Sequence, residues 1–234
     1  MEESYNNVLE NIRRISDEIA KAAARFNRNP KDIRLMAVTK TVSAEFVNLA
    51  VESGITLLGE SKAQEMLSKY DDYSKDGVDI HFIGHLQTNK VKSIIGKVST
   101  IQSVDSLKLA REISKQSVSA GCVTQALIEI NIGGEESKGG ISPNEAEFIA
   151  REISVLPAIK LCGLMTIPPF SQKEAEIEQY FSHMNALLVD IRGKNIDNVS
   201  MDILSMGMSG DYIHAIKHGA NILRIGTAIF GSRR

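Results

Sequence analysis

Cysteine is scarce in this chain: Cys122 and Cys162 are its only two, forty residues apart, with no further Cys or His at metal-ligand spacing. That excludes a disulfide scaffold and a Cys/His zinc motif, and leaves two buried thiols as the expectation. Charge of one sign is scarce too. With 27 basic and 29 acidic residues the formal charge is −2, so the footprint of a nucleic-acid binder is missing. The short basic cluster Ser232-Arg233-Arg234 is expected to be a solvated tail. No stretch of about eighteen or more apolar residues occurs, which excludes a membrane-spanning helix. The opening Met1-Glu2-Glu3-Ser4 has neither a basic nor an apolar signal region, so a cytoplasmic location is expected. Also absent are a Pro- or Ser-rich linker, a low-complexity tract and an internal repeat. Neither a G-x-G-x-x-G turn after the first strand nor a P-loop spacing is found.

What is present is ordinary material for a core: 43% hydrophobic and 24% charged residues. Tyr5, Val8, Leu9, Ile12, Ile15, Ile19, Ala22 and Phe26 recur at helical spacing until Asn29-Pro30, which predicts an amphipathic N-terminal helix. Short apolar runs then alternate with helical patterns. Strands are predicted at Ile33–Lys40, Ile55–Leu58, Ile80–Gly84, Thr100–Val104, Gln125–Ile132, Leu161–Thr166, Met201–Met206 and Ile222–Gly226. Eight strands separated by helices give a closed (β/α)8 barrel of the TIM type in preference to an open doubly wound sheet. One domain over residues 1–234 is expected, with the helix of residues 1–30 packed on the barrel.

Barrel chemistry collects where strands end. In the first strand Met36, Val38 and Lys40 share one face and Ile33, Leu35, Ala37 and Thr39 the other. If Met36 and Val38 fill the barrel, Lys40 stands at its mouth, as a solvated strand terminus or as a reactive amine. Two later segments favour the amine. Leu204 to Asp211 leaves the seventh strand with the hydroxyls of Ser205 and Ser209, and Arg224 to Gly231 leaves the eighth through Gly226 and Thr227. Barrels often bind phosphate at these two loops, where glycine admits close approach and hydroxyls donate. A lysine amine facing a phosphate pocket suggests pyridoxal 5′-phosphate (PLP). The imine requires a neutral amine, and Arg224, inward-facing on the neighbouring eighth strand, supplies nearby positive charge. His81 and His85 tempt a metal reading, but the strand-like Phe82-Ile83 between them argues against it; no metal is expected, and His85 with Gln87 to Lys90 is expected at the pocket rim. The charged loop Gly133–Gly140 is either solvated or a mobile cover in which Lys138 reaches the cofactor.

At these positions the chain resembles the pyridoxal phosphate homeostasis protein family. The resemblance rests on Ala37-Val38-Thr39-Lys40, on HFIGHLQTNK at residues 81–90, on Ser103-Val104-Asp105-Ser106, on residues 134–140, on Gly163-Leu164-Met165, on SMGMS at 205–209 and on RIGTAIFG at 224–231. It covers nearly the whole chain, in order. It implies a barrel like the N-terminal domain of alanine racemase, PLP on Lys40, phosphate held by Ser205, Ser209, Gly226 and Thr227, and Arg224 facing the pyridine nitrogen. Because arginine only donates, it would pair with an unprotonated nitrogen and leave the ring a weaker electron sink. One departure stands out: the family's Gly-Glu-Asn-Arg is here Gly59-Glu60-Ser61-Lys62, and Ser61 keeps a hydroxyl but loses the amide that could bond toward the cofactor.

The resemblance implies a PLP carrier or regulator in vitamin B6 homeostasis, influencing amino-acid balance, with apo PLP-dependent enzymes as recipients and no catalytic turnover. A small PLP-dependent amino-acid racemase is the alternative, with Lys40 as one base and Tyr212 or a partner chain supplying the missing acid. A third reading is an aldolase-like barrel acting on a sugar phosphate. Since Arg234 closely follows the eighth strand, no second domain is expected to supply the opposing acid, and a monomer is expected.

Overall fold

The computed structural model describes residues 2–135 and 139–231, with side chains from Asn7 onward. Its strands are β1 (Arg34–Val38), β2 (Leu57–Glu60), β3 (Asp79–Phe82), β4 (Thr100–Val104), β5 (Thr124–Glu129), β6 (Ile159–Met165), β7 (Val199–Ser205) and β8 (Ile222–Ile225). All pair in parallel, in sequence order, and β8 returns to β1 to close the barrel. Closure removes the sheet edges, and each strand is followed by at least one helix, as the alternating pattern predicted. The helices are α1 (Glu2–Arg25), α2 (Ala44–Glu52), α3 (Ala63–Lys69), α4 (Thr88–Ile94) and α5 (Leu107–Ala120), then α6 (Ala146–Ser154), α7 (Glu174–Gly193), α8 (Tyr212–Lys217) and α9 (Thr227–Phe230). No described helix is long and apolar enough to cross a membrane.

α1 forms because Val8, Ile12, Ile15, Ile19, Ala22 and Ala23 fall on one stripe, and all six are buried. The stripe packs on α2, α8 and α9, across the seam where the barrel closes. Asn27 at φ 54° lies just past the helix, and the Asn29 side chain caps the following turn by accepting from the Lys31 N–H. Strand alternation divides the core into two regions. Met36, Leu57 and Ile222 fill one part of the barrel interior and Leu127, Cys162 and Met165 another, with Ile203 against both. The opposite faces, including Ala37, Leu58, Phe82, Ile128 and Leu164, join the larger core beneath the helices. The two thiols differ from expectation: Cys162 is buried, but Cys122 is only partly so, in the turn after α5.

Candidate functional site

A cavity of about 1060 Å3 opens at the C-terminal ends of β1, β7 and β8. Val38, Lys40, Ser209, Arg224, Gly226 and Thr227 line it, so five of the six residues singled out in the sequence share one wall system. The β1–β8 register explains the convergence. Met36 lies opposite Arg224, so the next inward positions are Val38 and Gly226, and Lys40 follows on β1. A Cβ built on Gly226 would come no nearer than 3.4 Å to Val38. The φ of Gly226 is −117°. Neither packing nor a positive φ therefore demands glycine there, and the missing side chain leaves the backbone open to the cavity. Gly207 is different: its φ is +93°, and a Cβ would stand 2.6 Å from that of Ala215.

Ser205 is the residue the structure separates from the others. It is fully buried beneath Arg224 and is not on the cavity wall. Its hydroxyl donates to Gln102 Oε1 at 2.6 Å and accepts from Arg224 at 2.8 Å. The guanidinium also donates to the Thr166 carbonyl at 2.7 Å. Burial pulls Arg224 down to about 10, against the opposing pull of Asp211 and Glu129, so it stays cationic at neutral pH. The chain continues from Gln102 to His81 Nδ1 at 2.8 Å, inside the barrel. Ser209 accepts from the Ala228 N–H at 3.3 Å and thus fixes the β7 loop against the start of α9. Asp211 closes the same loop by accepting from the Met208 N–H at 2.6 Å.

Several expectations change. His85 and the residues after it do not shape this cavity. His85, Gln87, Asn89, Asp105 and Ser106 line a separate depression, with His85 Nδ1 3.3 Å from Asp105. His81 points into the barrel and His85 is exposed, so the two do not share a site. Ser61, left out of the sequence-derived set, is on the cavity wall. Tyr212, the candidate acid, is not; its hydroxyl donates to Glu18 on α1, and burial together with Glu18 pushes its pKa up to about 12. Asn7 and Asn11 of α1 also line the cavity, and the Asn11 amide holds the Ile229 carbonyl at 3.0 Å. Their four-residue spacing beside the buried Val8 was the available signal in the sequence. Lys138 lies outside the described residues, as does the terminal basic cluster.

The closed parallel eight-stranded barrel, with Lys40, Arg224 and the loops after β7 and β8 on one cavity at its mouth, is of the alanine racemase N-terminal-domain class; that family's model matches residues 10–234. The pyridoxal phosphate homeostasis protein of Aquifex aeolicus is 40% identical over 97% of this chain and 99% of its own. That of Escherichia coli is 35% identical over 97% of both. The chain belongs to the pyridoxal phosphate homeostasis protein family. Among solved structures, an unknown protein from Bifidobacterium adolescentis superposes with a TM-score of 0.94 at 34% identity, over 98% of this chain and 97% of that one. PipY of Synechococcus elongatus, solved with PLP bound, gives 0.79 at 27% identity, over 91% of this chain and all of that one. Alanine racemase of Clostridium difficile, at 16% identity, shares the fold at a TM-score of 0.71 over 93% of this chain and 56% of that one.

Proposed function

We propose that this protein binds PLP at the barrel mouth as a Schiff base on Lys40, and holds or delivers it without catalytic turnover. The observation that carries the reading is the convergence of Lys40, cationic Arg224, and Ser209, Gly226 and Thr227 on one cavity. The PLP-bound PipY structure supports it. PLP supplies an aldehyde that condenses with an amine, and a ring that withdraws electrons. Gly226 lets the backbone approach the phosphate, and Thr227 and Ser209 offer it hydroxyls. Arg224 faces the ring nitrogen as a donor. Ser205 serves behind it, as the acceptor that fixes the guanidinium.

The engagement of Tyr212 with Glu18 supports a carrier over a two-base racemase, because the named acid is turned from the cavity. Apo PLP-dependent enzymes are the recipients in this reading, and the working form is a cytoplasmic monomer. Purified protein mixed with PLP should show an imine absorption band, and borohydride should then fix the cofactor's mass on the Lys40 peptide. Lys40→Ala should lose both. Release of D-isomers from a panel of L-amino acids, abolished in Lys40→Ala, would replace the carrier reading with the racemase one.

A further inference from the structure

Lys40 stands on a backbone segment that is held from outside the barrel. Thr41, the next residue, has φ 63°. This left-handed conformation is unfavourable for a β-branched side chain and persists only where surroundings over-determine it. The surroundings here are α3. Glu65 Oε1 accepts the Thr41 N–H at 2.5 Å. Lys69 Nζ donates to the Thr39 carbonyl at 3.1 Å, to the Val42 carbonyl at 3.1 Å and to Glu65 Oε1 at 2.9 Å. An ammonium has three donors, and these three acceptors use them all. The carbonyls on either side of the Lys40-Thr41 pair are thus gripped by one side chain, and the amide between them by another.

The clamp is itself anchored. Glu60, at the end of β2, is fully buried and lies 3.6 Å from Lys69. It accepts from Thr39 Oγ1 at 2.7 Å and from the Tyr73 hydroxyl at 2.5 Å. Burial alone would raise the Glu65 carboxyl, but its bonds from Lys69 and from the Thr41 N–H outweigh that and hold it below the ordinary range.

We propose that Lys69 and Glu65 are positioning residues, which hold the Thr39–Val42 backbone so that the Lys40 amine meets its carbonyl partner in the cavity. The inference rests on the PLP reading above. The step served is condensation: Lys40 Nζ adds to the aldehyde carbon, a C=N bond replaces C=O, and water leaves. In that reading the phosphate sits at the loops after β7 and β8, which Lys69 and Glu65 do not touch, so the clamp should affect the two parts of binding unequally.

Pyridoxine 5′-phosphate, which carries the phosphate and ring but no aldehyde, separates them. Lys69→Met and Glu65→Met should bind it within about twofold of the parent, while PLP affinity and the rate of imine formation fall about tenfold or more, the usual order for a displaced reacting group. In the ligand-free protein the Thr41 amide should exchange faster in both variants. Since Lys69→Met strips a buried carboxylate of its cation, the Lys69→Met/Glu60→Gln variant removes that charge yet keeps an acceptor for Thr39 and Tyr73. A folded double variant with parental PLP affinity would overturn the clamp, as would parallel losses for both ligands. If the parent itself takes no PLP at Lys40 under borohydride, the functional reading fails along with the inference.

Discussion

Arg224 decides the orientation of every polar group behind it. Because arginine only donates, Ser205 must accept from it and send its own proton to Gln102 Oε1. The Gln102 amide nitrogen then faces His81, so Nδ1 of that ring must be an unprotonated acceptor. Protonating His81 would set two donors against each other in a dry interior. Burial, with a smaller contribution from Arg34 against the opposing Asp79, accordingly lowers His81 from 6.5 to about 4. The sign of the pH effect follows. Between these values the unfolded chain binds the proton and the folded chain does not, so stability rises with pH across that window and is lost as pH falls through it. The loss from this one group is on the order of 3 kcal/mol. His81→Gln keeps an acceptor for Gln102 but does not titrate, and should flatten urea-unfolding stability between pH 6.5 and 4 relative to the parent. Carboxyls raised by burial, such as Glu129 and Asp211, act in the opposite direction in both proteins and cancel in the comparison. Parallel pH profiles would show that the chain is not built on a neutral His81.

At the scale of the strand, two glycines in similar settings should behave differently. A Cβ on Gly163 in β6 would lie 1.8 Å from the Ile203 carbonyl oxygen of β7, whereas one on Gly59 in β2 would meet the flexible Met36 sulfur at 2.5 Å. Gly163 also sits where the β6 register shifts against both neighbours, so backbone must move to admit a methyl. Gly163→Ala should cost at least the ~1–3 kcal/mol of an overpacked core, and Gly59→Ala clearly less, read from urea midpoints; equal losses would contradict this. Much of this architecture was legible in the sequence, because period-two alternation gives a strand's inward face directly. Met36 and Arg224 point inward as predicted, with Ile222 on the same face. Boundaries were less legible. β2 starts at Leu57 because Ile55 instead bonds back to the Ala50 carbonyl after Gly54 turns at φ +95°, closing α2. Alternation also says nothing about depth along the barrel axis. Ser205 was expected at the phosphate, yet the stagger sets it level with Ile222, one inward layer below Arg224 and out of the cavity. The parts of the site arriving from α1 and α3 come through long-range packing, which no helix's own periodicity contains.

For the whole molecule, what counts is that the cavity lies over the seam where the last strand meets the first. Lys40 leaves β1, Gly226 and Thr227 leave β8, and Ser209 belongs to the loop after β7, so a group bound by all of them ties the first strand to the last two. α1 joins the arrangement through Asn11 and the Ile229 carbonyl of α9. A ligand that binds only the folded state adds RT ln(1 + [L]/Kd), about 2.7 kcal/mol at a hundredfold excess over Kd. Where exchange proceeds by local opening, that protection concentrates on the segments the ligand touches. PLP should therefore slow hydrogen exchange at the end of β1, in the loop from Gly207 to Asp211, in α9 and in the first turns of α1. Strands β4 to β6, across the barrel, should change little. Lys40→Ala should keep the protection of the β7 loop and α9, the proposed phosphate side, and lose that at β1. Protection centred on the depression between His85 and Asp105 would instead place the ligand over β3 and β4, and the carrier site would have to be moved there.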